Sequence, residues 1–432
     1  MPGPPSEVAA VLSARLGAGA VADLATRQAW ALGGVVPSLV ARPGDATELA
    51  ATVAAVAAAG GVLVPLGRGA HRALGHPPAR YDLALVTDRL DRVRDYAPAD
   101  MTVTVETGVA IADLATLLAR EGQWLPIEPA LPAATTVGGL LAADLAGPLA
   151  ASQGRIRDFV IGIGVVTAAG VPARAGGRVV KNVAGYDLMK LFIGSLGSLA
   201  VLTEVTFKVR PRPEEQRCMV FAVRGMARAL GFGAAIGATR VGALAVTVSG
   251  DVGEDGQEAT VVVRLGGGAA DVVVARARVT ALAQRHDAAL VLDADHAEPR
   301  AASHLEHGRD FVVRAAGDLV VRLPVLPSRL PALVADAGRA GSALCGTCHG
   351  DPLRGVLTLA LTTDAPEPVL AMLAQVANAH GARMVVERWP VALAPTIAVW
   401  SPLPPALPLM RRMKVALDPQ GIFARGRFVG RL

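Results

Sequence analysis

The sequence predicts an α+β chain of more than one folding unit, and three observations carry that reading. At 432 residues the chain exceeds what one ordinary core organises. With 52% of residues apolar and 18% charged, it has the composition of a packed chain rather than a disordered one. Its strand- and helix-period segments also change order at Pro211 and Pro213, from glycine-punctuated strands to repeated strand–helix–strand units. Aromatic residues make up only 3%, so burial has to come from many close contacts between small side chains.

The elements follow in order. A short apolar strand over 38–41 meets the turn Pro43-Gly44-Asp45, and a helix over 47–59 takes Asp45 or Thr47 as its N-cap. Gly60-Gly61 ends that helix, and a strand over 62–64 runs into the loop Gly67-Arg68-Gly69, closed by Gly75. Strand, helix, strand and glycine loop put backbone amides where a phosphate can sit. A second, alternating unit opens with Val103 to Glu106 and Val109, followed by a helix over 111–120 stopped by Gly122. Strands over 159–167 and 199–209 complete it, the first ending in the turn Ala168-Ala169-Gly170.

Beyond Pro213 come a strand at 219–223, a helix at 226–237, strands at 243–248 and 260–265, a helix at 271–285 and a strand at 289–292. The same order recurs: strand 319–323, helix 328–340, strands around Cys345 and at 357–361, helix 368–380 and strand 384–386. Two such halves predict one sheet with its helices on one face. A last helix over 407–417 is stopped by Asp418-Pro419 and Gly421. The expected units are 1–215, 216–388 and 389–432.

Composition excludes several function classes. A net charge of +5 suits an anionic ligand, but Arg is spread along the chain with no cluster of cations and stacking aromatics, so nucleic acid is not an expected partner. The apolar window 49–66 contains Gly60-Gly61 and Pro65 and is mostly alanine, which reads as helix, turn and strand, not as a transmembrane segment. No basic n-region precedes an apolar core at the N-terminus, so the expected location is cytoplasmic, with any inner-membrane attachment made through partners. Three cysteines make no disulfide framework. Cys345-Gly-Thr-Cys348-His349 matches a haem-attachment pattern, but its strand-like surroundings and the missing export signal favour a coincidental pair.

The chemistry concentrates in ordered glycine- and threonine-bearing segments. Thr135-Thr136-Val137-Gly138-Gly139 offers hydroxyls and close backbone approach, both useful at a pyrophosphate. Gly176 to Asp187 (GGRVVKNVAGYD) and Phe192 to Leu199 (FIGSLGSL) follow. Each glycine alone reads as a turn, whereas their combination reads as a dinucleotide cradle. The stretches Ala134 to Pro148 and Gly176 to Pro213, with the tail Met410 to Phe423, closely resemble the FAD-binding domain of the vanillyl-alcohol-oxidase and p-cresol-methylhydroxylase family. Within it they are similar to the E-type, FAD-binding subunit of glycolate oxidase.

The resemblance implies a two-part FAD-binding domain of the p-cresol-methylhydroxylase type, an α+β ferredoxin-like cap and a C-terminal segment returning to the FAD domain. It implies FAD as cofactor. The residues it points to are Pro65, Gly67, Arg68, Gly69, Ala70, His71, Thr135, Thr136, Gly138, Gly139, Ala142, Asp144, Gly185, Asp187, Gly194, Ser195, Gly197, Leu199 and Val201. His71 matches the histidine that carries FAD covalently in some relatives, or it is a polar loop residue beside the pyrophosphate. Ala70, Ala200 and Ala424 depart from the family pattern at cofactor positions.

Oxidation of a small 2-hydroxy acid needs a cation for the carboxylate, a base for the hydroxyl proton and a flavin for the hydride. Arg388 matches a family arginine and is either the carboxylate holder or a solvated strand-end charge. His349 and His380 are the candidate bases, and no paired-histidine metal site is visible. The implied partners are a paralogous FAD subunit and an iron–sulfur subunit. The alternatives are a self-sufficient FAD-linked 2-hydroxyacid dehydrogenase and a non-catalytic scaffold subunit that keeps the fold.

Overall fold

The computed structural model describes residues 10, 14, 23–177, 186–239, 241–252, 257–340 and 345–432. Asp45 caps the first long helix, α1 (Ala46–Ala58): its carboxylate accepts from the amides of Thr47 and Glu48 at 2.8 and 2.9 Å. Leu49, Val53 and Val56, at helical spacing, are wholly buried. They pack on a three-stranded parallel sheet, β1 (Leu39–Ala41), β2 (Leu63–Leu66) and β3 (Leu83–Val86), in the order β1-β3-β2. The apolar window 49–66 is therefore helix, turn and strand, and no described helix is long and apolar enough to cross a membrane.

A second, antiparallel sheet completes the N-terminal part. Its strands are β4 (Val93–Ala97), β5 (Thr102–Glu106), β6 (Val160–Val166), β7 (Pro172–Gly176) and β8 (Val201–Lys208), in the order β4-β5-β8-β6-β7. Strand β5 ends at Glu106, and Gly108 just beyond it packs close on the preceding turn: an added Cβ would stand 2.4 Å from the Thr87 carbonyl. Helices α2 (Ile111–Ala119) and α3 (Val137–Ala143) join Phe159 and Phe207 in the core of this sheet.

The second part is two copies of one strand–helix pattern. The first copy is β9 (Glu215–Arg224), α4 (Met226–Ala238), β10 (Ala243–Asp251), β11 (Glu258–Gly267), α5 (Ala269–Arg285) and β12 (Ala289–Asp295). After α6 (Pro299–Arg314), the second is β13 (Leu319–Pro324), α7 (Leu330–Ala340), β14 (Cys345–Asp351), β15 (Val356–Thr362), α8 (Pro366–Ala379) and β16 (Met384–Arg388). They merge edge to edge where β10 pairs with β14, Val248 opposite Gly350. With β17 (Trp400–Ser401) they form one nine-stranded sheet, β12-β9-β11-β10-β14-β15-β13-β16-β17.

Alternation along β9 shows how the two faces differ. Met219, Phe221 and Val223 enter the large core under α4, α5, α7 and α8. Cys218 and Val220 face the other way and meet Ala301 of α6. The expectation of helices on one face fails at α6, which lies across the opposite face with Phe311 against Val320 and Ala360. The cap sheet also continues to Ser401, past the expected boundary at 388. In β14, Cys348 is buried among core residues while Cys345 is exposed, so the pair stands on opposite faces of a strand and cannot clasp one haem.

The tail returns to the first sheet. Leu63 donates its amide to the Ile422 carbonyl and accepts from the Ala424 amide, both at 2.8 Å. Asp418, after α9 (Leu407–Leu417), accepts from the amides of Ile422 and Phe423 at 2.9 Å each. Lys414 ties this clasp to the N-terminal part, donating to the Ser198 and Phe423 carbonyls and to Asp418 at 2.5 Å. Across the domains, buried Arg264 holds Glu128 at 2.5 Å, and the Leu131 amide donates to Asp310 of α6 at 3.1 Å.

Candidate functional site

Strand β2 delivers its C-terminal end to a small pocket of about 70 Å³, walled by residues 64–72, Ala134, Thr135, Thr136, Gly139, Ala142, Ala143, Leu196 and Arg427. The backbone amides of Gly67, Arg68, Gly69, Ala70 and His71 donate to no acceptor within the described residues. Five consecutive free donors at a strand end form a nest for an anion. The first-turn amides of α3 are, by contrast, already used: those of Val137, Gly138 and Gly139 go to Val109, Thr107 and the Thr136 hydroxyl. Gly67 is required sterically, since a Cβ there would fall 2.1 Å from Thr136 Oγ1.

His71 stands where this pocket opens into a larger one. Thr135 Oγ1 donates to the Ala130 carbonyl at 2.7 Å and must therefore accept from His71 Nε2 at 2.9 Å. That bond fixes the neutral tautomer with Nδ1 bare. Burial pushes the imidazole down to about 4, with Glu387 working weakly the other way.

The larger cavity, about 760 Å³, lies between the loops of the FAD domain and the open face of the cap sheet. From the sheet come Thr247, Arg322, His349, Asp351, Thr358, Glu387 and Arg388; from α6 come Gly308 and Arg309. Residues 68–72 and Ala143 wall both spaces, so the two adjoin. Seven arginines line the cavity against four carboxylates. Arg322 is matched by Glu387 at 2.5 Å, Arg155 by Asp144 at 2.7 Å and Arg309 by Asp310 at 2.8 Å. Arg354 has only a long contact to Asp351, 3.6 Å, and a 3.2 Å bond to the Ala146 carbonyl. Burial raises the Asp351 carboxyl to about 6 against the pull of Arg354 and of two backbone amides.

Arg388 lines this cavity with no carboxylate partner among the described residues. Its two terminal nitrogens each donate one hydrogen to a carbonyl at the end of α6, Val313 at 3.2 Å and Ala315 at 2.6 Å, which fixes the orientation of the guanidinium and leaves one further donor on each. Its Nε is buried and unpartnered. His349 also lines the cavity, stacked on Phe311 at 5.2 Å, with Nδ1 2.9 Å from Ser249 Oγ. Burial, aided by His307, holds it at about 4, so it is neutral at pH 7.

Other expected residues fall elsewhere. His380 is not a cavity residue: its Nε2 bonds Asp336 at 2.7 Å between α7 and the end of α8. Pro65, Gly67 to His71, Thr135, Thr136, Gly139 and Ala142 wall the small pocket, and Asp144 and Gly194 the large one. Gly138 sits behind, where a Cβ would meet Thr107 at 2.9 Å, and Gly197 packs on Pro65. The buried Ser195 hydroxyl bonds the Phe192 carbonyl, Leu199 and Val201 pack in cores, and Asp187 pairs with Lys190 at 2.6 Å. Gly185 lies outside the described residues. Sequence reasoning passed over Leu196 inside the FIGSLGSL segment that it had singled out, and it missed Arg322, Asp351, Arg354, Glu387 and Arg427, isolated residues in unremarkable strings whose only signal is three-dimensional.

The small pocket lies largely within a segment that is similar to known FAD-binding domains. Residues 37–176 match the family described as FAD binding domain. Over about a third of its length the chain is homologous to glycolate oxidase subunits. It is 41% identical over 152 residues to glycolate oxidase subunit GlcE of Escherichia coli (strain K12), covering 35% of this chain and 43% of the relative. It is 34% identical over 158 residues to subunit GlcD of Bacillus subtilis (strain 168), covering 37% and 34%. These matches span less than half the length of either relative. The fold as a whole resembles alkyldihydroxyacetonephosphate synthase, with a TM-score of 0.74 at 17% identity over 98% of this chain and 84% of the other. It also resembles substrate-bound p-cresol methylhydroxylase, with a TM-score of 0.72 at 13% identity over 98% and 96%.

Proposed function

We propose that the chain is the FAD-binding subunit of a glycolate oxidase-like complex that oxidises a small 2-hydroxy acid and passes the electrons to an iron–sulfur partner. The observation that carries this is the 760 Å³ cavity, which joins an anion nest to a cationic, histidine-bearing sheet face. When bound, FAD supplies the acceptor for the hydrogen and electrons leaving the substrate's C2. The nest and Thr136 hold the diphosphate end, and the shared wall at 68–72 leads the flavin end into the cavity.

Arg388 supplies uncompensated positive charge for the substrate carboxylate, and Arg354, with its loose partners, supplies the directed donors. His349, neutral and with Nδ1 engaged by Ser249, takes the hydroxyl proton at Nε2. Cys218 and Cys348 are buried in the cap and Cys345 stands alone at the surface, which favours a cluster on a partner subunit. Similarity to both GlcE and GlcD supports a paralogous FAD subunit as a further partner, and a cytoplasmic complex reaching the membrane through those partners.

A second reading, a scaffold subunit that retains the fold, is favoured by one observation: both terminal nitrogens of Arg388 already bond carbonyls of α6, an evident structural role. The visible flavin absorbance of the chain, alone and in the purified complex, separates the readings after anaerobic addition of glycolate or D-lactate. Bleaching in the complex that His349→Gln abolishes supports the proposal. Bleaching in the isolated chain makes it a self-sufficient dehydrogenase. Unchanged bleaching in a complex carrying His349→Gln leaves the scaffold reading.

A further inference from the structure

Arg427, near the C-terminus, has 4% of its surface exposed, yet it faces no carboxylate among the described residues. Its terminal nitrogens donate to the Leu74 and His76 carbonyls, at 2.6 and 3.2 Å. Its own carbonyl accepts from the His76 amide at 3.0 Å. Between those contacts Gly75 adopts φ +98°, and a Cβ there would come within 2.9 Å of the Arg427 carbonyl. One residue of the tail thus grips both sides of the segment that closes the glycine loop.

A buried guanidinium with only carbonyl partners is short of negative charge. Burial lowers it to about 10, with Tyr81 the sole opposing influence. The same side chain walls the 70 Å³ pocket that is also lined by the five residues with free amides. We propose that Arg427 is the counter-cation of the FAD diphosphate and that, by fixing residues 74–76, it also holds the loop in its anion-binding shape. The C-terminal tail is then part of the cofactor site, and cofactor affinity depends on its docking. This rests on the pocket being the FAD site, which the same experiment tests separately.

The experiment is competition against FAD on the apoprotein by ADP, which carries the diphosphate without the flavin, and by riboflavin, which carries the flavin without the diphosphate. Arg427→Gln is expected to weaken ADP and FAD on the order of 10- to 100-fold while leaving riboflavin within about twofold. ADP affinity unchanged in Arg427→Gln, or riboflavin falling in parallel with ADP, overturns the inference. Should Arg427→Gln lose its circular-dichroism signature, Arg427→Lys decides on the same ratio: it keeps the charge but not the fork, and is expected to weaken ADP by about tenfold and riboflavin little. Equal losses of ADP and riboflavin in Arg427→Lys overturn it too. Wild-type chain that binds no FAD defeats the site itself, a different result from FAD bound but not displaced by ADP, which defeats only the role of Arg427.

Discussion

Gly67 and His349 carry the two halves of the account, and each can be changed alone. A methyl group at position 67 would overlap Thr136 Oγ1, which caps α3 through the Gly139 amide at 3.1 Å. Gly67→Ala is therefore expected to cost about 1–3 kcal/mol by overpacking and to lower FAD occupancy sharply. Flavin-to-protein absorbance after gel filtration checks it, and full occupancy in a folded variant would contradict it. His349→Gln should leave FAD bound and slow its anaerobic reduction by roughly 10²–10⁴-fold, the usual worth of a general base. Gly67 was readable from the glycine loop alone. His349 stood out in the sequence only as the end of a misleading Cys-x-x-Cys-His string, and strand alternation explains why that string means little.

At the scale of elements, the tail clasp and α6 show what patterning does and does not reveal. Asp418-Pro419 and Gly421 announce the end of α9, but not that the Asp418 carboxylate serves two amides and Lys414 at once. Removing one partner of a buried pair of this kind costs about 3–5 kcal/mol. Asp418→Ala should therefore lower the urea midpoint clearly and release FAD earlier in the unfolding curve; coincident loss of flavin and far-ultraviolet signals at an unchanged midpoint would contradict it. Helix α6 went unforeseen because its sequence, PRAASHLEHGRDFVVR, buries only Ala301, Asp310 and Phe311, and Gly308 interrupts its helical pattern. That glycine has a reason: a Cβ there would come within 3.2 Å of His349 Cε1, so it lets the helix cross closely over the cavity. The repeated strand–helix order was legible because short apolar runs such as Leu319 to Leu323 and Leu357 to Leu361 alternate with longer helix-period segments. The long-range pairing of β10 with β14, which merges the halves, was not.

For the molecule as a whole, closing the cap over the FAD domain buries titratable groups, which makes stability depend on pH. His71, His76 and His349 are each held near about 4 by burial, against an ordinary value of 6.5, so between those values the unfolded chain binds protons that the folded chain does not. Stability therefore falls as pH drops through that window. Asp351, raised to about 6, acts oppositely and offsets part of the loss. Denaturant midpoints measured from pH 7 to pH 4.5 should decline steadily, and His349→Gln should flatten the decline; a level profile would contradict the assigned burial. The central claim is that loop 67–71, α3 and the tail together form one FAD site opening onto the cap cavity. Its most direct test is titration of the apoprotein with FAD followed by flavin fluorescence. One equivalent bound, with binding lost in Gly67→Ala and weakened in Arg427→Gln, is the expected result; no saturable binding, or binding indifferent to both substitutions, would contradict it.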